Sequence, residues 1–239
     1  MNSNQLVDEV RAYCHEHSNP QNLQKYQRYF KGGYDGYGLT SIQITDKVKE
    51  LSPSLESGIE TALKAVPVLM ESGMYEETSF GFLIVDRFEK KFTPEVFHII
   101  GSWFSIGITN WAHADTLGMY LLPKFLKNNI IAIEDFKPWL YSEYKFQRRC
   151  VPVTLIKSLK MVGVEKLVQF VEPLMTDAER EVHQGMGWFL REAWKLNPIE
   201  VELFLLKWKE TAPRLIFQYA CEKMEKEERL RFRRTKKGK

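Results

Sequence analysis

The chain has 239 residues, 44% of them hydrophobic and 13% aromatic, which favours a folded protein with one sizeable core or repeat array over a disordered chain. Three widely spaced cysteines exclude a disulfide framework, and residues 1–10 have no apolar core, so we expect a cytoplasmic protein without a secretory signal. The most apolar run, from Val96 to Ile108, is too short to cross a membrane, and its His98 is typical of a hydrogen-bonded core histidine.

Helical periodicity dominates the chain and strand signals are nearly absent, which predicts an all-α protein. Helix starts are marked by a capping side chain followed by proline at Asn19, Ser52, Thr93 and Asn197, and by capping boxes at Thr40…Gln43, Thr176…Glu179 and Asn197…Glu200. The predicted helices span, in chain order, residues 4–17, 21–31, 40–51, 53–72, 76–91, 93–108, 111–128, 133–141, 143–160, 163–173, 176–195, 197–209 and 212–231.

Consecutive helices joined by short turns pack antiparallel, so this many helices without a long connector indicate stacked helix pairs. We therefore predict a HEAT-like helical repeat solenoid with a repeat of about 35–45 residues. Such a solenoid presents a concave surface, often the binding surface, and a compact all-α bundle is the alternative. The predicted domain covers residues 1–228, followed by a basic tail at 229–239.

The tail carries seven positive charges and no acid, so the formal net charge of +3 less these 7 leaves −4 for the remaining residues. A basic tail of this kind is either a nucleic-acid contact or a frayed, solvated terminus.

The glycine-rich stretch 31–38 follows no predicted strand and lacks the dinucleotide-binding spacing. We expect a mobile loop leading into the helix capped by Thr40, whose N-terminus is able to hold a phosphate. The cluster Cys14-His15-Glu16-His17 has no partner cluster at zinc-ligand spacing, so we predict no metal and no cofactor.

Two aromatic residues are each followed by a charged residue at helical spacing. Trp111 and Asp115 are four residues apart and share one helix face, as do Trp188 and Arg191, three residues apart. A ring face beside an anion suits a site where positive charge develops on a sugar. Each pair also has a structural explanation, with the tryptophan in the core and the charge meeting the helix dipole or solvent, and the adjacent Arg148 and Arg149 are equally typical of a solvated face.

These pairs lie in a series of short motifs: Asn19-Pro20, Gln27-Arg28-Tyr29-Phe30-Lys31, Tyr37-Gly38-Leu39-Thr40, Trp111-x-x-x-Asp115, Gln147-Arg148-Arg149, Gly187-Trp188-Phe189-Leu190-Arg191-Glu192 and Asn197-Pro198. In their order and spacing, over roughly residues 4–225, they resemble the DNA alkylation repair enzymes, the AlkD-like glycosylases built of HEAT-like repeats. One departure is Asn110, where some members of the family have a second tryptophan. Another is Pro152, which is expected to kink the helix that carries Arg149.

The resemblance implies a role for each matching position. Asp115 is the catalytic carboxylate, and Trp111 and Trp188 are its aromatic partners at the scissile nucleotide. The residues expected to bind DNA are the backbone-binding Arg149, with Arg148 as the alternative register, the lesion-proximal Tyr29, and Arg191 and Lys31.

The implied function is a monofunctional DNA glycosylase, a monomer acting on alkylated double-stranded DNA, in a prokaryote at the nucleoid. Methylation at N3 or N7 of a purine already gives the base a positive charge, so one carboxylate suffices because no leaving-group proton is needed. The alternatives are a non-catalytic module that binds damaged or branched DNA, and a protein-interaction solenoid.

Overall fold

A computed structural model of the chain describes residues 1–30 and 33–235. These residues form helices joined by turns and loops, with no strand among them, which confirms the predicted all-α helical-repeat class. The α-helices are α1 (Ser3–Glu16), α2 (Pro20–Gln27), α3 (Ser41–Leu51), α4 (Ile59–Glu71), α5 (Tyr75–Asp86), α6 (Pro94–Ser102), α7 (Trp111–Thr116), α8 (Leu122–Lys127), α9 (Lys145–Leu155), α10 (Leu159–Val162), α11 (Val164–Val171), α12 (Arg180–Trp194), α13 (Pro198–Trp208), α14 (Arg214–Ala220) and α15 (Lys226–Leu230).

Shorter helical segments connect several of these helices. The 3₁₀ segments are Ser52–Ser54, Glu89–Lys91, Trp103–Ser105, Ile133–Tyr141, Ile156–Ser158 and Glu172–Thr176, and a π segment covers Leu117–Leu121. No helix in the described part of the chain is long and apolar enough to cross a membrane.

The chain divides into two compact units, and the first is Met1–Thr116. In this unit α4 packs against α5, while α1 contacts both of them and α3 packs on α5. The contacts follow from helical periodicity, since Ala62, Val66 and Leu69 recur at spacings of three to four residues and are all buried on one face of α4.

The second unit, Leu117–Lys239, is organised around α12, which packs against α9, α13 and α14. Glycine in α12 permits these close approaches. A Cβ added at Gly187 would lie 2.4 Å from the Cβ of Tyr219 on α14, and one added at Gly185 would lie 3.1 Å from the Cγ of Arg149 on α9. The glycines before Trp188 therefore have a packing role.

Most of the predicted helix starts are confirmed. The side chains of Asn19, Thr93 and Asn197 cap α2, α6 and α13, and Thr40 with Gln43 forms a complete capping box on α3. Two predictions were wrong because the preceding helical segment continues through the expected start. Ser52 instead donates to the carbonyl of Val48, and the Thr176 hydroxyl donates to a carbonyl within its own 3₁₀ segment.

Several long predicted helices are interrupted. The segment 53–72 breaks at Gly58, whose φ of 56° is left-handed, so α4 begins only at Ile59. The segment 111–128 contains the π segment just before Pro123, which has no N–H to continue the α ladder. By contrast α9 runs through Pro152.

The chain from Arg229 to Thr235 is anchored rather than frayed. Phe232 is fully buried, and its carbonyl accepts a hydrogen bond of 2.8 Å from Arg214. Arg231 forms an ion pair with Glu202 at 2.6 Å. The three lysines at the end of the predicted tail, Lys236, Lys237 and Lys239, lie outside the described residues.

Candidate functional site

The short helix α7 places Trp111 and Asp115 one turn apart, as the spacing predicts. Asn110, directly before the helix, accepts a hydrogen bond of 2.9 Å from the backbone N–H of His113, so its side chain caps the helix start. The indole of Trp111 is 38% exposed, and Asp115 is partly buried. Both side chains are therefore accessible at the surface of the first unit.

His113, between these two residues, is buried and held at both ring nitrogens. Its Nε2 lies 3.1 Å from the carbonyl oxygen of Tyr75, which only accepts, so Nε2 carries the proton and donates. Its Nδ1, 2.9 Å from Asn110 Nδ2, then accepts from that amide. Burial lowers the pKa of His113 to about 4, so the imidazole is neutral at physiological pH. His113 thus fixes α7 on α5 without adding charge.

Trp111 belongs to a chain of neighbouring rings, which we call the aromatic cluster: Phe30, Tyr34, Tyr75 and Trp111. Phe30 stacks on the indole with the ring centroids 5.5 Å apart and the planes at 17°. Tyr75 lies 5.7 Å from Phe30 and 5.1 Å from Tyr34, centroid to centroid. Burial raises the pKa of Tyr75, and the nearby carboxylates, including Asp115, add to the rise. Within the cluster, Trp111 shares a helix face with Asp115, and Tyr75 is close enough for the Asp115 charge to raise its pKa.

Sequence reasoning missed the residue that holds Tyr34 of this cluster. Glu76, fully buried on α5, accepts hydrogen bonds from the backbone N–H groups of residues 37, 38 and 39 at 2.8, 2.8 and 3.2 Å and from the Tyr34 hydroxyl at 2.9 Å. The described part of the glycine-rich segment is therefore fastened, where we expected a mobile loop. These donors precede Thr40, the N-cap of α3, so the phosphate site expected at that helix start stays a prediction.

In the second unit Trp188 is partly buried on α12, one turn from Gln184, whose amide donates to the hydroxyl of Tyr219 at 2.8 Å. Arg191 is mostly buried and forms ion pairs with Glu192 and Glu222. The charge beside Trp188 is thus already neutralised by carboxylates of the same unit.

The arginine pair also makes contacts inside the second unit. Arg148 forms a two-pronged ion pair with Asp177, with Nε and Nη2 at 2.5 and 3.2 Å from the carboxylate, and donates from Nη1 to the carbonyl of Ser142. Arg149 is only 5% exposed and donates to the carbonyl of Glu181 at 2.7 Å. Their DNA-binding role stays a prediction, and the structure shows that both arginines tie neighbouring segments together.

Of the two remaining residues expected to bind DNA, Tyr29 is 64% exposed next to Phe30 of the aromatic cluster. Lys31 lies outside the described residues. The structure thus brings Trp111 and Asp115 together in the first unit, with Tyr29 one residue from the ring that stacks on the indole. Nowhere in the described ranges do three or more His, Cys, Asp or Glu side chains group to hold a metal ion.

Comparison with known proteins identifies the family. The profile described as DNA alkylation repair enzyme matches residues 10–224, which is most of the chain. The chain belongs to the DNA alkylation repair enzyme family. Its fold is also similar to a solved structure described as a predicted DNA alkylation repair enzyme from Enterococcus faecalis, with a TM-score of 0.70 and 15% identity over 87% of this chain and 97% of that one. No curated protein matches the chain significantly.

Membership supports a role in the repair of alkylated DNA, with DNA as the substrate class. The structural similarity, at 15% sequence identity, supports the shared architecture and nothing about activity.

Proposed function

We propose that this protein is a monofunctional DNA N-glycosylase that releases cationic alkylated purines, of the 3-methyladenine and 7-methylguanine type. The observation that carries the proposal is the pairing of Trp111 with Asp115 on one face of α7, with Phe30 stacked on the indole. In this proposal the Asp115 carboxylate stabilises the developing oxocarbenium sugar and orients a water. Removing such a preorganised electrostatic group costs about 3 kcal/mol of transition-state stabilisation.

The surroundings of Asp115 support selectivity for bases that are already charged. The nearest histidine along the chain, His113, is buried and neutral, and its one N–H is directed at the Tyr75 carbonyl, so it does not act as a general acid for a leaving base at physiological pH. The raised pKa of Tyr75 makes its phenol an even weaker acid than usual. A methylated, cationic base needs no proton in order to leave, and aromatic faces attract it by about 0.5–2 kcal/mol each.

The roles predicted for Trp188, Arg148, Arg149 and Arg191 in the second unit, and for Tyr29 in the first, remain part of the proposal. We expect the arginines and Lys31 to act on phosphates, so that affinity falls as salt rises.

The test is base release from duplex DNA carrying 7-methylguanine, followed by chromatography, with wild type compared with Asp115→Asn. We expect the variant to fold and to bind DNA, but to release base about 100-fold more slowly. Asp46→Asn, on the exposed face of α3, is the matched control and should retain full activity.

Equal release by Asp115→Asn and wild type would refute the catalytic role. Tight, salt-dependent binding without any release by wild type would instead identify a binding module. Release of neutral lesions such as hypoxanthine at rates similar to 7-methylguanine would contradict the selectivity.

A further inference from the structure

We propose that Glu76 is a positioning residue, which holds Tyr34 and, through its ring, Phe30 against Trp111 by fastening the glycine-rich segment. The proposal rests on the proposed function for its kinetic consequence, but the geometry behind it is independent of any chemistry.

The carboxylate of Glu76 is surrounded by donors that all belong to one segment. Three of them are consecutive backbone N–H groups, at residues 37 to 39, and the fourth is the hydroxyl of Tyr34. The segment also approaches very closely, since a Cβ added at Gly36 would lie 2.5 Å from Glu76 Oε2. A fully buried anion with this many directed donors holds the segment in one place, because loss of the anion leaves the donors unsatisfied.

The contacts continue from this carboxylate to Trp111 through two rings. Glu76 fixes the hydroxyl of Tyr34, and the Tyr34 ring lies 4.9 Å from Phe30, centroid to centroid. Phe30 in turn stacks on the indole of Trp111. Burial and the neighbouring carboxylate raise the pKa of Tyr34, so its hydroxyl remains a donor throughout the accessible pH range. Each link is a direct contact within the first unit.

The adjacent Glu77 provides a matched comparison. It is as buried as Glu76, but it binds Arg11 at 3.0 Å and the hydroxyl of Tyr37 at 2.7 Å, and neither contact is to a ring of the aromatic cluster. Neutralising either glutamate removes one buried charge from α5. Glu77 holds the glycine-rich segment only through the hydroxyl of Tyr37, whereas the change at Glu76 weakens its three backbone N–H bonds and the bond from Tyr34.

The experiment compares Glu76→Gln with Glu77→Gln in the full-length protein. Single-turnover release of 7-methylguanine should fall about 10- to 100-fold in Glu76→Gln, as expected for a displaced site group, and stay within about twofold of wild type in Glu77→Gln. The dissociation constant for unmodified duplex DNA should change little in both. Thermal unfolding shows how far each variant is destabilised.

A second readout is independent of catalysis. In protein labelled with 5-fluorotryptophan, the ¹⁹F resonance of Trp111 is assigned by its loss in Trp111→Phe, and we expect it to shift in Glu76→Gln and not in Glu77→Gln. If Glu76→Gln does not fold, Tyr34→Phe removes a single donor and should shift the same resonance.

An unshifted resonance in a folded Glu76→Gln protein would overturn the proposal, as would equal kinetic losses in the two glutamine variants. If wild type releases no base, the proposed function fails, while the fluorine resonance still decides whether Glu76 positions Trp111.

Discussion

Each unit contains two consecutive ionisable residues in one helix, largely withdrawn from solvent, and the two pairs use opposite charges for a similar task. Glu76 and Glu77 on α5 accept hydrogen bonds, mainly from the glycine-rich segment. Arg148 and Arg149 on α9 donate to carbonyls of nearby loops and of α12. Adjacent positions on a helix point about 100° apart, so each member of a pair reaches a different partner.

The comparison shows that each pair of buried charged residues in this protein holds neighbouring segments of the chain together. From the sequence, the arginine pair was predicted to bind DNA because cations commonly bind phosphates. No role was predicted for the glutamate pair. In the structure Arg148 is bound to a carboxylate, while Glu76 is bound to backbone N–H groups and a phenol.

The largest effect on stability is expected for Arg148→Met. The Asp177 carboxylate is 7% exposed and would lose its guanidinium partner, which should cost about 3 kcal/mol in the free energy of unfolding, measured with urea. The double variant Arg148→Met/Asp177→Asn should recover part of this loss. A single variant as stable as wild type would break the comparison, because the ion pair with Asp177 would then not contribute to folding.

An effect of similar size is expected from pH, through the buried, neutral His113 of the first unit. The folded-state pKa of His113 is about 4 against an ordinary 6.5, so the unfolded chain takes up the proton first as the pH falls. Stability should therefore be complete above pH 6.5 and fall by about 3 kcal/mol between pH 6.5 and 4. The matched reference is His113→Gln, measured by urea unfolding at each pH, and parallel curves for the two proteins would show that this histidine does not titrate as described.

Next, Gly38→Ala tests how tightly the segment bound by Glu76 is packed. Gly38 has a φ of 79°, and an added Cβ would lie 2.3 Å from the backbone oxygen of Asn19. Gly73 has a similar φ of 73° with open space around it, so Gly73→Ala reports the backbone strain alone. We expect about 1 kcal/mol of destabilisation at Gly73, and at Gly38 a further 1–3 kcal/mol typical of overpacking. If Gly38→Ala and Gly73→Ala lower the unfolding temperature equally, the segment around Gly38 accommodates the added methyl group without further cost.

The smallest effect is expected for Lys145→Ala in the second unit. Lys145 pairs with Glu181 at 3.1 Å, but its side chain is 38% exposed, and an exposed pair contributes about 0.5 kcal/mol. Denaturant unfolding should barely distinguish this variant from wild type. A loss of stability as large as that of Arg148→Met would show that burial does not explain the difference between the exposed Lys145 pair and the buried Arg148 pair.

Local signals in the sequence predicted much of the fold. The helix caps at Asn19, Thr40 and Asn197 were found because a capping side chain and its target N–H lie within three residues of each other. The interruptions were harder to predict. Gly58 interrupts a helix through its left-handed φ, and the residues beside it contain no sequence signal that predicts this conformation.

In the candidate site, too, local features were predicted from the sequence and long-range contacts were not. Trp111 and Asp115 were found because their separation of four residues is a property of one helix. The contribution of Glu76 was missed because its donors lie 37 to 42 residues away in the chain. A glutamate in a helix is ordinarily solvated, so its type alone gives no sign of burial.

Thus the sequence by itself determined the all-helical class, many of the helix starts and the pairing of an indole with a carboxylate on α7, because each of these depends on neighbours within about one turn of helix. Only the tertiary structure decided that His113 is neutral, that Phe30 covers one side of Trp111 and that Glu76 fastens the glycine-rich segment. These features arise from burial and from contacts between distant segments, and both exist only after the helices have packed.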